Sequence, residues 1–213
     1  MILIDTDIFT VVAFNILGNG FDENEANLHY DYKNFTAKDI AQLFWSGLSI
    51  IQVNQLFALI GGSLGGGIAW EMAALQPNRI LNLIPIATNW KATDWVIGNV
   101  LIQDQLLNNS TNPIADARLH AMLLYRTPAA INAKFDRNQE SDSALFQVEN
   151  WLLHHGLKLK KRFTLPAYKL MNHLLKTMDI TKHSNDIIHE ITSISGAIHV
   201  IAVDSDLFFT AQE

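Results

Sequence analysis

The chain contains no cysteine. Disulfides, thiolate metal sites and a cysteine nucleophile are therefore excluded, nothing points to an oxidising compartment, and the cytoplasm is the expected location. Basic residues are also scarce: 15 Lys and Arg against 21 Asp and Glu leave a formal charge of -6. That balance disfavours nucleic-acid partners, whose affinity comes from clustered cations meeting phosphates. The one basic cluster, Lys158, Lys160, Lys161 and Arg162, lies in an apolar-periodic stretch and reads as a solvated helix face. Long apolar runs are missing too. The run at 8–17 falls far short of the ~20 residues that span a bilayer, and no basic residue precedes it, so neither a membrane span nor a signal peptide is expected.

What is present suffices for a substantial core: 213 residues, 49% of them hydrophobic, predict one compact domain. The stretch 10–17 (TVVAFNIL) is a β-branched and aromatic run without strict alternation, as in a strand buried on both faces, and Gly18-Asn19-Gly20 ends it. After a polar loop, Thr36 and Asp39 form a capping box opening a helix to about 48, with Ile40, Leu43, Phe44 and Leu48 along one side. Further strands are predicted at 56–61, 80–87 and 197–203. Strands alternating with helices imply a parallel sheet. Between the last two strands the pattern is helical, with candidates at 95–107, 116–125, 129–135, 145–155 and 168–178. The expected organisation is a core over 1–88, a helical cap insertion over 89–185 above the sheet's carboxyl edge, and a return to the core over 186–213.

Gly61-Gly62-Ser63-Leu64-Gly65 fits G-x-S-x-G, with the strand LFALI before it and the helix GGIAWEMAAL after it. A serine on such a strand-to-helix turn sits in a strained conformation, with glycines two residues either side expected to allow close approach of strand and helix. Its hydroxyl projects at the top of the sheet, and the Leu64 N–H points to where an oxyanion would form. Phosphate-binding loops fit worse: Ile68 stands where a Walker loop needs lysine, and Trp70 where a dinucleotide fingerprint needs glycine. The fold class predicted is α/β, of α/β-hydrolase type: a parallel sheet with helices on both faces and a helical cap insertion, incomplete at both termini.

A serine needs a histidine to take its proton and a carboxylate to orient that histidine. In this fold the order is Ser, then Asp or Glu, then His, with the acid after a late strand. Asp206 fits, with Asp204 as competitor, and a loop-capping aspartate explains either about as well. All eight histidines (His29, His120, His154, His155, His173, His183, His189 and His199) precede Asp206, so none can be the base in that order. No metal site is expected: His189-Glu190 opens a metalloprotease-like motif, but Ser193 stands where its second histidine belongs.

Gly61-Gly62-Ser63-Leu64-Gly65-Gly66, followed by Ala69-Trp70-Glu71-Met72-Ala73, resembles the homoserine O-acetyltransferases, whose elbow reads G-G-S-M-G-G before an A-L-E-W helix. Phe14-Asn15-Ile16-Leu17-Gly18 is similar to the family's N-x-x-G strand end, and Tyr125-Arg126-Thr127-Pro128 to its T-Y-R-S-P segment. Val148-Glu149-Asn150-Trp151-Leu152 with Gly156 and Phe163 resembles its V-E-S-Y-L...G...R-F run, and Ser205-Asp206-Leu207-Phe208-Phe209 its S-D-x-L-F-P end.

The resemblance implies acyl transfer from acetyl-CoA to L-homoserine through an acyl-serine, a step of methionine biosynthesis, with acetyl-CoA as co-substrate and no bound cofactor. By position Ser63 would be the nucleophile, Asp206 the triad acid and Leu64 an oxyanion donor. Arg118 matches the arginine that binds the homoserine carboxylate, and Tyr125 would line that pocket. A homodimer through the helical cap is implied as well, and Trp151, Leu152, Leu153 and Leu157 are compatible with one. The family's histidine and first oxyanion loop have no counterpart here, so little transferase activity is expected from this polypeptide alone. A serine esterase on the same scaffold, and a non-catalytic fragment, are the alternative readings.

Overall fold

The computed structural model describes residues 4–141, 144–182 and 186–212. Helix α1, Ala37–Ile50, begins at the capping box. Thr36 Oγ1 accepts the Asp39 N–H at 3.2 Å and the Asp39 carboxylate accepts the Thr36 N–H at 2.8 Å. Two open donors at the helix start are thereby satisfied. The buried row is Ala37, Ile40, Ala41, Trp45 and Leu48. Trp45 fixes it by donating its indole N–H to the Met72 carbonyl at 2.9 Å, which turns Leu43, expected on that row, toward solvent.

Strand β1, Leu59–Gly62, runs into helix α2, Leu64–Leu75. Strand β2, Asn82–Ile86, and strand β3, Ala197–Ile198, complete a parallel sheet in the order β1-β2-β3. Parallel bridges at Leu56–Ile80 and Ile86–Ile201 extend the pairing, so the three predicted strands are present with shorter regular spans. Apolar apart from Glu71, helix α2 is buried from Gly66 to Ala73, as a helix without a polar face must be. It packs on β1 and β2 on one side and on α1 on the other.

The strand predicted at 10–17 is not formed. Among the described residues no strand pairs with this segment, and Val11, Val12, Phe14 and Leu17 are exposed. A strand exists only where a second backbone meets its N–H and C=O groups. Here ring contacts hold the segment instead: Phe14 stacks on Phe44 with centroids 4.6 Å apart, and Phe9 lies 4.7 Å from Phe57.

Between β2 and β3 come α3 (Asp94–Asn109), α4 (Pro113–Leu124), α5 (Pro128–Phe135), α6 (Gln147–Lys160), α7 (Leu165–Leu175) and α8 (Ile187–Ser193). The last of these has no counterpart among the predicted helices. They divide into two groups. Val96 and Val100 of α3 and Leu170 and Leu174 of α7 join the central core with α1, α2 and the sheet. Helices α4 and α6 pack chiefly on each other, across Gly156, where a Cβ would press on Leu119 and the Ala115 carbonyl. The 89–185 stretch thus feeds both groups, and its far boundary lies outside the described residues. No described helix is long and apolar enough to cross a membrane.

Candidate functional site

Ser63 occupies the bend between β1 and α2 with φ 51° and ψ -126°, a conformation that L residues other than glycine rarely adopt. Its N–H donates to the Ile86 carbonyl at 2.9 Å, and its own carbonyl accepts the Gly66 and Gly67 N–H groups at 2.9 and 3.1 Å. The side chain makes no capping bond to the helix and is exposed. The Leu64 N–H, first in α2, has no partner among the described residues. A serine hydroxyl and an open amide at a helix N-terminus therefore share one crest, the arrangement that meets a developing negative charge.

Close approach at this bend is made by Gly61 and Gly66. A Cβ on Gly61 would overlap the Gly65 carbonyl oxygen, and one on Gly66 would overlap the Thr88 methyl. A Cβ on Gly65 would meet open space, so the expectation that both flanking glycines are needed for packing is corrected on that side: Gly66, one residue further into the helix, carries the contact.

Asp206 reaches the same edge of the sheet from β3. Ile201 donates to the Pro85 carbonyl at 3.0 Å and accepts from Ala87 at 2.8 Å, so the chain leaves the sheet beside the carboxyl end of β2, opposite Ser63. At the usual strand spacing the two paths are ~10 Å apart there. Asp206 is half-buried, and its Oδ1 accepts the Phe208 and Phe209 N–H groups at 2.8 and 3.0 Å. One carboxylate oxygen thus shapes the turn. Asp204, the competitor, is exposed. Trp95 pins the turn to α3 by donating its indole N–H to the Leu207 carbonyl at 2.8 Å.

Arg118 and Tyr125 come together in the α4 region, with the guanidinium 5.2 Å from the Tyr125 ring centroid. Burial pushes the nearby Tyr168 hydroxyl pKa up, and burial, then the Arg118 charge, holds His155 below the usual histidine value. No hydrogen bond or ring contact joins this group to Ser63 or Asp206 among the described residues; helix α7 packs on α2, α3 and α4, and α3 packs on α4 and holds the Asp206 turn through Trp95.

The histidines serve elsewhere. His29 lies against Phe35, His173 against Tyr32, His154 and His155 against each other, and His199 reaches Asn82 at 3.3 Å. His189 lies on the exposed side of α8, and His183 is outside the described residues. Among the described residues no histidine hydrogen-bonds Ser63 or Asp206. Lys158, Lys160, Lys161 and Arg162 are exposed at the end of α6, with Lys160 bonded to Asn112 at 2.9 Å.

The family model described as alpha/beta hydrolase fold matches residues 2–159. The chain belongs to the α/β-hydrolase fold family. Within it, the chain is 28% identical over 226 aligned residues to the homoserine O-acetyltransferase of Chloroherpeton thalassium, covering 95% of this chain and 60% of that protein. It is 28% identical over 199 residues to the homoserine O-acetyltransferase of Salinibacter ruber, covering 84% of this chain and 56% of the relative. The crystal structure of homoserine O-acetyltransferase from Staphylococcus aureus superposes with a TM-score of 0.77 at 21% identity, over 93% of this chain and 59% of the other. Esterase E22 superposes with 0.75 at 16% identity, over 83% and 54%. At such identities the superpositions speak for the fold. The chain spans 60% and 56% of the length of the two curated relatives.

In this α/β-hydrolase chain two site features escaped the sequence reading. One is a cleft of about 210 Å³ at the carboxyl edge, walled by Trp70, Thr88, Trp90, Val200 and Phe209, between the elbow helix and the Asp206 turn. Ala87, at φ 46°, bends the chain into it. The other is Gln103, whose amide lies buried between α3, α4 and α7. A glutamine within a helical pattern gives no periodic signal of such burial.

Proposed function

We propose that this chain carries the acyl-serine chemistry of a homoserine O-acetyltransferase. The supporting observation is the strained Ser63 at the carboxyl edge of the parallel sheet, beside an open Leu64 N–H and on the same edge as the Asp206 turn. In the first half-reaction Ser63 Oγ attacks the acetyl carbonyl of acetyl-CoA, its proton passing to a base, while the oxyanion meets the Leu64 N–H. Collapse expels the CoA thiolate, which takes up the proton. In the second, the L-homoserine hydroxyl gives its proton to the base as its oxygen attacks the acetyl-serine carbonyl; collapse breaks the bond to Ser63 Oγ, releases O-acetylhomoserine and returns the proton to Ser63. Asp206, with one carboxylate oxygen bound to the turn, is the acid that would orient the base. Arg118, with Tyr125 beneath its guanidinium, supplies two parallel donors suited to the homoserine carboxylate. Because no described histidine meets Ser63 or Asp206, this chain by itself is expected to turn over slowly.

Incubation with acetyl-CoA followed by mass spectrometry tests the reading. One acetyl group should appear on Ser63, be absent from Ser63→Ala, and leave as O-acetylhomoserine when homoserine is added. Acetylation that survives Ser63→Ala sinks the proposal, and release to water at a rate that homoserine does not alter favours an esterase. Homoserine affinity should fall about 10- to 100-fold in Arg118→Leu, the loss expected for hydrogen bonds to a charged group. We further propose pairing of two copies through α6, where Leu153 and Leu157 are exposed; sedimentation of Leu157→Glu against the wild type checks it.

A further inference from the structure

Gln103 lies on α3 with 7% of its surface exposed, and each polar atom of its amide is engaged. Nε2 donates to the Ala117 carbonyl at 3.0 Å and to His120 Nδ1 at 2.8 Å, while Oε1 accepts the Tyr168 hydroxyl at 3.3 Å. Ala117 and His120 flank Arg118 on α4, and Tyr168 belongs to α7, which packs against the elbow helix α2. A buried glutamine needs partners anywhere. These partners converge on the helical turn that presents Arg118 and tie it to the helix bridging toward Ser63.

We propose that Gln103 is a positioning residue for Arg118: its amide sets the rotation of α4 and so the direction from which the guanidinium meets a substrate carboxylate. The proposal deepens the reading of Arg118 as the homoserine carboxylate clamp and rests on it. His120 is an acceptor in this network, which fixes the proton on Nε2, and burial lowers its pKa in keeping with a neutral ring. Without the amide, the Tyr168 hydroxyl and His120 Nδ1 lose their buried partner, and α4 can turn to satisfy them elsewhere.

The experiment measures binding of L-homoserine and of its uncharged methyl ester to the 213-residue chain, by calorimetry, for wild type, Gln103→Met, Tyr168→Phe and Arg118→Leu. Gln103→Met should weaken homoserine about tenfold, the size of one lost buried hydrogen bond, and leave the ester unchanged. The ¹⁵N shifts of His120 should move in the same variant. Tyr168→Phe removes only the outer bond and should act in the same direction more weakly, which keeps the test open if Gln103→Met does not fold. Equal weakening of acid and ester, or no weakening of either, overturns the positioning role. If Arg118→Leu leaves homoserine affinity intact, the clamp reading itself fails; if Arg118→Leu weakens it while Gln103→Met and Tyr168→Phe leave it unchanged, this inference alone falls.

Discussion

Ser63 is held to Ile86 by a backbone hydrogen bond of 2.9 Å across the crest of the sheet, and that bond helps keep a serine at φ 51°. Such backbone strain costs about 1–3 kcal/mol and persists only where surrounding bonds overdetermine it. Ser63→Gly should therefore raise unfolding stability by about 1 kcal/mol, while Ser63→Ala stays near the wild type. Urea melts with unchanged slopes measure both. A glycine variant no more stable than the alanine variant would show that the bend is relaxed.

The glycines of the bend should separate sharply in their tolerance. Gly65→Ala places a methyl in open space on a helix and should be neutral or gain up to about 1 kcal/mol. Gly61→Ala and Gly66→Ala drive a methyl into the Gly65 carbonyl and into Thr88, and each should lose about 1–3 kcal/mol or more. Thermal melts of the three variants decide the matter, and a Gly65→Ala loss as large as that of Gly66→Ala would refute the assignment.

The elbow was legible because its chemistry is local: strand, strained serine and helix follow one another within 17 residues, 59–75, and Thr36 with Asp39 announces a helix in the same way. The segment 10–17 departs from its strand expectation for the opposite reason. Its composition favours a strand, but a strand is completed by a partner that composition does not name, and Phe14 found Phe44 instead. The motif counts symmetrically about the serine and points to Gly65, whereas the packing falls on Gly66 and is set by Thr88, 22 residues further on. Gln103 joins residues 14, 17 and 65 positions away, a relation that no short window contains.

At Asp206 the turn-forming and orienting roles can be told apart. Asn offers the same Oδ1 to the Phe208 and Phe209 N–H groups, so Asp206→Asn should stay within about 0.5 kcal/mol of wild type. Asp206→Ala leaves those donors to water and should lose about 1 kcal/mol. If Asp206 also orients a base, both variants should slow acetylation of Ser63 alike, however differently they melt. An Asn variant that keeps full acetylation would reduce Asp206 to a turn former.

Glu71 lies buried on α2 and accepts the Asp179 N–H at 3.0 Å. Burial raises its pKa above the ordinary carboxylate range, against the lowering effect of that hydrogen bond and of Lys38 and Lys182. The folded state thus holds the Glu71 proton more tightly than the unfolded chain does. Its contribution to stability is full below the unfolded value, about 4.3, and is lost as pH rises through the raised folded value. Asp179 behaves oppositely: burial works against it, but the Thr181 hydroxyl and N–H and the Lys91 ammonium hold its pKa low, so its contribution is lost as pH falls. Glu71→Gln keeps an acceptor for the Asp179 N–H and cannot ionise, and it also removes the repulsion between the Glu71 and Asp179 carboxylates, which adds to the variant's gain at higher pH. The stability of the variant relative to wild type should therefore climb from about pH 4 toward pH 8, as read by urea unfolding at intervals across that range. A difference that stays level with pH would mean that Glu71 titrates alike in the folded and unfolded chain, and that its burial on the elbow helix carries no charge penalty.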